Sequence, residues 1–135
     1  MEARIKDKIK EIEEFLFELN EIAPNEFEDY LEDNKTKAAC ERYLEKVIEA
    51  VIDLAFLIIK EKKFEIPEEG KESFDILAEE KIITEQLAEK LKDAKGMRNI
   101  IAHQYGKIDD EIVFDSITQE IQKDINEFIK NIEKI

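Results

Sequence analysis

The spacing of apolar residues is the feature that most constrains the fold of this 135-residue chain. In the first quarter, apolar side chains recur at steps of four and three residues, which places them on one face of an α-helix. Both prolines, Pro24 and Pro67, fall between such periodic stretches, where they can end or begin helices. No segment of the sequence is typical of a β-strand. The first apolar stripe consists of Ile5, Ile9, Ile12, Leu16, Leu19 and Ala23.

Capping residues help to divide the periodic stretches into elements. Asn25, with Glu28 three residues later, resembles a capping pair for a short second helix, and Thr36 is a candidate cap of the third. Thr84 is a plausible cap of the fifth. The sequence therefore predicts one domain over residues 1–135, an all-α antiparallel bundle of about five helices. The predicted helices span about 4–23, 25–33, 36–62, 73–80, 84–105 and 109–135.

The third predicted helix is the core element of the bundle. Ala50, Leu54 and Leu57 lie outside its main apolar face, so a second apolar contact surface is expected on this helix. Another helix of the same chain or a partner subunit can cover that surface. The main face carries Leu44, Val47, Ile48, Val51, Ile52, Ala55, Ile58 and Ile59.

The cysteine content and the hydropathy of the chain help to predict the cellular compartment of the protein. The lone Cys40 has no second cysteine with which to form an internal disulfide or a zinc site, so we interpret it as a small buried apolar side chain. The longest apolar run, residues 54–59, is far short of the roughly twenty residues that cross a bilayer. The charged N-terminus does not resemble a signal peptide. We therefore expect a cytoplasmic protein without a membrane span, a metal or a cofactor.

Net charge and local charge point in opposite directions. The net charge of −14 argues against indiscriminate binding to nucleic acid or to anionic membrane. Residues 90–107 are the exception, because they carry five basic residues and the single acid Asp93. This segment can be an ordinary solvated helix face or a local site for a negatively charged substrate. Its basic residues are Lys90, Lys92, Lys95, Arg98 and Lys107.

The same segment breaks the apolar pattern of its helix. The seam that begins at Leu87, Leu91 and Ala94 continues, at the same spacing, to Arg98, Ile101 and Tyr105. Two polar residues in a core register are unexpected. We expect a kink or a restart of the helix at Gly96 to relieve the conflict, and an end of the helix at Gly106.

Arg98, His103 and Tyr105 form an R-x4-H-x-Y pattern that contains the only histidine of the chain. Asn99 and His103 are four residues apart and share a helix face, while the long Arg98 side chain can swing towards them. By itself, a lone histidine beside an arginine and a tyrosine is also compatible with a hydrogen-bonded structural role. Arg42 and Asp53, on the third helix, are more typical of a surface ion pair or solvent exposure than of catalysis.

The pattern R-N-x-x-A-H-x-Y at residues 98–105 resembles the signature of HepT-type ribonuclease toxins of the HEPN superfamily. The similarity extends over essentially the whole chain, through residues 41–44, 48–55, Ile66-Pro67, 87–91 and 108–109, with Ile112 and Val113. It implies metal-independent RNA cleavage in a cleft that two protomers share. His103 is implied as the general base or acid, Arg98 as the phosphate-binding group and Asn99 as the residue that orients them. The implied products are a 2′,3′-cyclic phosphate and a 5′-hydroxyl.

The resemblance also implies regulation and partners. Similar toxins form a type II toxin–antitoxin pair with a minimal nucleotidyltransferase antitoxin, which silences them by adding AMP to the tyrosine at the position of Tyr105. A core aromatic with a hydrogen-bonded hydroxyl is the alternative for Tyr105. For the whole chain, the alternatives are a noncatalytic HEPN module that binds a nucleotide or a nucleotidyltransferase, and a plain helical scaffold. We further expect a homodimer, because pairing two basic segments would concentrate positive charge for RNA.

Overall fold

Helices make up the regular structure of this chain in a computed structural model, which describes residues 2–103 and 108–135. No strand occurs within those two ranges, so the predicted all-α bundle is confirmed. The predicted last helix is present as two α-helical segments joined by a π-helical turn at Ser116–Glu120. The α-helices are α1 (Ala3–Ile22), α2 (Phe27–Glu32), α3 (Asn34–Glu61), α4 (Gly70–Glu79), α5 (Glu85–His103), α6 (Asp110–Asp115) and α7 (Ile121–Glu133).

Helix α3 lies at the centre of the bundle and contacts α1, α2, α4 and α5. Its main apolar face is buried, as the spacing predicts, apart from the half-buried Ile52. Ala50 and Leu54, which lie outside that face, are also buried by the chain's own helices. Leu57 is only partly buried and borders a surface groove between α1 and α3. The second apolar surface of α3 is therefore covered mainly within the same chain.

The N-terminal cap of α3 differs from the predicted one. The Asp33 carboxylate, rather than Thr36, accepts hydrogen bonds from the backbone N–H groups of Lys35 and Thr36 at 3.0 and 3.3 Å. The Thr36 hydroxyl donates to the same carboxylate at 2.8 Å. The chain already turns into the helix at Asn34, so Thr36 lies inside the first turn and Asp33 takes the capping position.

The predicted cap at Thr84 is confirmed, and the one at Asn25 is wrong. The Thr84 hydroxyl accepts a hydrogen bond from the backbone N–H of Leu87 at 3.0 Å, and Asp109 caps α6 in the same way. Asn25 does not cap α2, because Glu26 occupies the position before the helix and makes no side-chain capping bond. Local sequence thus identifies a cap well where the helix boundary is correctly predicted.

Helix α4 begins at Gly70, three residues before the predicted start at Ser73. A Cβ atom at Gly70 would lie 2.9 Å from Cγ2 of Ile52, so the glycine allows α4 to approach α3 closely. The buried Ser73 hydroxyl donates to the Gly70 carbonyl oxygen. The first turn of α4 is therefore held by close packing as well as by hydrogen bonding.

The C-terminal segments bury one apolar face against the rest of the bundle. Ile135 continues the apolar spacing of that face but is 48% exposed, because α7 ends at Glu133 and the last residues extend past it. Over the described ranges, none of the helices combines the length and the apolar character needed to cross a membrane. The buried residues of this face are Phe114, Ile117, Ile121, Ile125, Phe128 and Ile132.

Candidate active site on helix α5

Helix α5 carries the R-x4-H segment as one continuous helix. The predicted restart at Gly96 is wrong, because the α-helix runs from Glu85 to His103 through that glycine, whereas a kink there stays a prediction. A Cβ at Gly96 would meet no atom of the described residues within 4 Å. Tyr105 and Gly106 lie outside the described residues, and so does the predicted end of the helix at Gly106.

The packing of α5 changes along its length. The first half is anchored in the core by Leu87, Ala88, Leu91 and Ala94, all of them buried. Among the last nine residues of the helix only Ile101 is buried, and Ala102 and His103 are exposed. The candidate site therefore lies at the end of a helix whose other end is fixed by apolar packing.

Arg98 is largely enclosed, with 23% of its side chain exposed. One guanidinium nitrogen, Nη1, donates to the Asn99 side-chain oxygen at 3.0 Å. The other, Nη2, lies 3.6 Å from a carboxylate oxygen of Glu49 on α3. Nε is buried, and the described part of the chain provides it with no hydrogen-bond acceptor. Arg98 thus lies between α5 and α3, oriented by one amide and one carboxylate.

His103 is the last residue of α5 and is exposed. It lies one helical turn after Asn99, on the same side of the helix, and about 140° around the helix axis from Arg98. The structure therefore joins Arg98 to Asn99 by a direct hydrogen bond and places His103 next along the Asn99 face. The swing of the Arg98 side chain towards His103 stays a prediction.

Acidic residues offset much of the basic excess that the sequence shows in this segment. Lys92 forms ion pairs with Asp75 at 2.9 Å and with Glu89 at 3.0 Å. Lys90 lies 3.9 Å from Asp124, and Glu49 faces Arg98. Lys107 is outside the described residues. A single chain therefore presents less uncompensated positive charge beside the motif than its sequence suggests.

A shallow apolar groove of about 460 Å³ runs along the motif segment between α5 and α6. Gly96 and Met97 form part of one wall, and Ile108 lies on the opposite side. Two large apolar side chains remain exposed beside it, Ile100 at 41% and Ile112 at 57%. Sequence analysis did not identify this groove, because it depends on the relative position of two helices.

The positions outside the motif agree with their structural interpretation. Arg42 pairs with Glu45 at 3.2 Å, and Asp53 lies 3.6 Å from Lys8, as expected for surface ion pairs. Cys40 is fully buried, and burial raises the pKa of its thiol to about 11. In the described ranges, no group of three or more His, Cys, Asp or Glu side chains is arranged to hold a metal ion.

Glu49 is the residue at this site that sequence analysis missed. It lies on α3, about fifty residues before Arg98, among acidic residues that look like an ordinary solvated helix face. No local pattern distinguishes it from Glu45, one turn earlier. Only the packing of α3 against α5 brings Glu49 to the guanidinium.

Comparisons with known proteins identify relatives of this chain. Residues 5–132 match the family model described as ribonuclease HepT-like. The mRNA nuclease HepT of Shewanella oneidensis is 35% identical over 86 residues, which span 64% of each chain and thus slightly less than two thirds of the relative. The tRNA nuclease HepT of Aphanizomenon flos-aquae is 26% identical over 96% of this chain and 92% of its own.

A solved structure extends the similarity to the complete fold. The tri-AMPylated HEPN toxin of Shewanella oneidensis, in complex with its MNT antitoxin, superimposes with a TM-score of 0.93. The two chains are 27% identical, and the match covers 100% of both. The bundle described above is therefore the fold of that toxin.

Proposed function

We infer the function of this chain from the family to which it belongs, the ribonuclease HepT-like family. We propose that it is a cytoplasmic endoribonuclease and the toxin of a type II toxin–antitoxin pair. The observation that carries the proposal is the arrangement of Arg98, Asn99 and His103 at the exposed end of α5. An oriented guanidinium and an exposed imidazole on the same stretch of helix suit the cleavage of a phosphodiester.

The proposed reaction needs only acid–base and electrostatic catalysis. His103 removes the proton of a ribose 2′-hydroxyl, or protonates the leaving 5′ oxygen, a contribution typically of about 10²- to 10⁴-fold in rate. The 2′ oxygen attacks the adjacent phosphorus and the bond to the 5′ oxygen breaks. The 2′-hydroxyl loses one proton and the 5′ oxygen takes up one, so the products are a 2′,3′-cyclic phosphate and a 5′-hydroxyl, with no net change in protons. Arg98 binds the phosphate and stabilises the charge that develops on it, while Asn99 holds the guanidinium in orientation.

We further propose that the active species is a homodimer. Because acidic residues pair with Lys90, Lys92 and Arg98, one chain offers little net positive charge to an RNA backbone. Two motif segments that face each other across a two-fold axis would double the number of guanidinium and imidazole groups in one cleft. Light scattering of the purified protein should give about twice 15.9 kDa. A strict monomer at micromolar concentration would contradict the shared cleft.

A nucleotidyltransferase antitoxin is the proposed protein partner, since the similar toxin of Shewanella oneidensis is bound to an MNT antitoxin and is tri-AMPylated. We propose Tyr105 as the residue that receives AMP. Added phosphodiester groups two residues from His103 would repel an incoming RNA phosphate and compete for Arg98.

Mass spectrometry of the intact protein can test this modification. After incubation with the cognate antitoxin, ATP and magnesium, the mass should rise in steps of one AMP and RNA cleavage should fall. The His103→Ala variant should be modified like the wild type, whereas Tyr105→Phe should not. Modification of Tyr105→Phe, or normal cleavage by the modified protein, would show that Tyr105 is not the regulatory site.

The second candidate function is a noncatalytic HEPN module that binds a nucleotide or a nucleotidyltransferase. The net charge of −14 and the ion-paired lysines favour a protein partner over RNA in this alternative. Such a module would not cleave RNA, so one activity assay separates the two functions.

That assay is the incubation of total RNA with purified protein in the presence of EDTA. Wild-type protein should cleave the RNA and leave cyclic phosphate ends, and His103→Ala should not. Arg42→Ala is the matched control, because it removes an exposed, ion-paired arginine from α3. Cleavage by His103→Ala at the wild-type rate would refute the mechanism, and no cleavage by wild type would favour the noncatalytic module.

A further inference from the structure

The contact between Arg98 and Glu49 affects how Arg98 can bind RNA, and the motif alone does not reveal this contact. Glu49 approaches the guanidinium from α3. Among the described residues, it is the one carboxylate that forms an ion pair with Arg98. A carboxylate and a phosphate are both anions that arginine binds through its N–H groups. Glu49 therefore occupies a place at Arg98 that an RNA phosphate needs.

The ion pair between Arg98 and Glu49 is weak enough to be replaced by another contact. The distance of 3.6 Å between Nη2 and the carboxylate oxygen is long, and 59% of the Glu49 side chain is exposed. Exposed ion pairs contribute little to stability, so the carboxylate can leave at small cost. The hydrogen bond from Nη1 to the Asn99 side-chain oxygen is shorter, at 3.0 Å. Because this acceptor is neutral, Asn99 does not compete with a phosphate for the positive charge of Arg98.

We propose that Glu49 is an exchangeable counter-ion of Arg98, which an RNA phosphate displaces when substrate binds. This inference depends on the proposed ribonuclease function. Glu49 holds the guanidinium between α3 and α5 in the free protein and weakens RNA binding, because the phosphate must replace it. It acts through Arg98 and contacts no reacting atom, so it is a positioning residue rather than a catalytic one.

Glu45 provides a matched control. It lies one turn before Glu49 on the same helix, and its carboxylate pairs with Arg42 at 3.2 Å instead of with Arg98. Glu45→Gln and Glu49→Gln each remove one negative charge from α3 and keep the size of the side chain. Any difference between them reports the local contact with Arg98 and not the overall charge of the protein.

Binding is measured in the His103→Ala background by fluorescence anisotropy, with a labelled single-stranded RNA. Glu49→Gln should tighten binding about fivefold, the upper range for a partly exposed ion pair, and Glu45→Gln should change it less than twofold. With His103 present, Glu49→Gln should raise kcat/KM through a lower KM. Equal effects of the two variants, or weaker binding by Glu49→Gln, would overturn the proposal.

A double-mutant cycle tests whether Glu49 acts through Arg98. In an Arg98→Ala background, the effect of Glu49→Gln should fall to that of Glu45→Gln, and thermal unfolding should confirm that all variants fold. A persistent fivefold effect would assign Glu49 a role independent of Arg98. If wild type cleaves RNA but the two glutamine variants behave alike, only this inference fails. If wild type neither binds nor cleaves RNA, the proposed function fails as well.

Discussion

Helices α3 and α5 pack against each other, but they differ in how far along each helix the buried apolar pattern continues. From Cys40 to Ile59, α3 buries a side chain at almost every turn, on two faces. Helix α5 does so only as far as Ala94, after which Ile101 alone is buried. The polar residue Arg98 then takes a place in the apolar register, and one of its buried N–H groups has no acceptor among the described residues.

The difference separates the part of the molecule that supplies stability from the part that is available for chemistry. A buried polar group without a hydrogen bond costs free energy, so a site of this kind is tolerated only where the surrounding packing is strong. Apolar packing along α3 and the first half of α5 provides that support. Substitutions in the two regions should consequently have different effects on stability and activity.

The largest loss of stability is expected in α3. Leu54 is fully buried, so Leu54→Ala should lower the free energy of unfolding by about 2–5 kcal/mol, through lost apolar burial and the cavity that remains. Leu57→Ala is the control on the same helix and should cost less, because Leu57 is only partly buried. Urea denaturation followed by circular dichroism measures both. Equal losses would mean that Leu57 is packed as closely as Leu54.

Arg98→Met should separate activity from stability. Loss of the guanidinium should lower the rate of RNA cleavage about 10²- to 10³-fold, as for other groups that stabilise a developing charge. Methionine has a similar length and no polar atom to desolvate, so the free energy of unfolding should rise by about 1 kcal/mol. Arg42→Met, at an exposed ion pair, should change neither quantity appreciably. A large loss of stability in Arg98→Met would show that Arg98 holds the bundle together.

Substitution of the two described helical glycines should change the free energy of unfolding by a smaller amount. A methyl group at Gly96 meets no atom within 4 Å, so Gly96→Ala should raise the free energy of unfolding by about 1 kcal/mol through helix propensity alone. The same change at Gly70 should give no such gain, because the new Cβ would lie 2.9 Å from Ile52. Thermal unfolding of both variants tests this contrast. Destabilisation by Gly96→Ala would indicate that another surface packs closely on that face.

The smallest effect concerns Asp124, whose carboxylate links α7 to Lys90 of α5. Burial raises the pKa of Asp124, although Lys90 opposes the shift. The folded state then binds the proton more tightly than the unfolded state, so stability decreases as the pH rises from the usual pKa of an aspartate through the raised value. Asp124→Asn should therefore stabilise the protein at neutral pH, by less than about 1 kcal/mol.

Denaturation at several pH values can test this prediction. The advantage of Asp124→Asn should disappear as the pH falls below the usual pKa of an aspartate, because both side chains are then neutral. Asp115→Asn, at an exposed position, should show no comparable pH-dependent gain. A loss of stability in Asp124→Asn at neutral pH would mean that the ion pair with Lys90 outweighs the cost of burial.

Much of the fold could be predicted because its signals are local. The apolar stripe of α1, the cap at Thr84 and the start of the last helix at Asp109 depend on residues within one or two turns. The predictions failed where a boundary shifted. Asp33 caps α3 in place of Thr36, and α4 begins at Gly70 because the glycine can pack closely on Ile52.

The sequence by itself determined that the chain forms helices, and it placed Arg98, Asn99 and His103 on one of them, because helical periodicity follows from near neighbours. The tertiary structure decided what surrounds these residues. It brought Glu49 to Arg98, set acidic partners beside Lys90 and Lys92, and left an apolar groove along α5. Contacts between helices depend on how whole faces pack, and no short pattern in the chain encodes that packing.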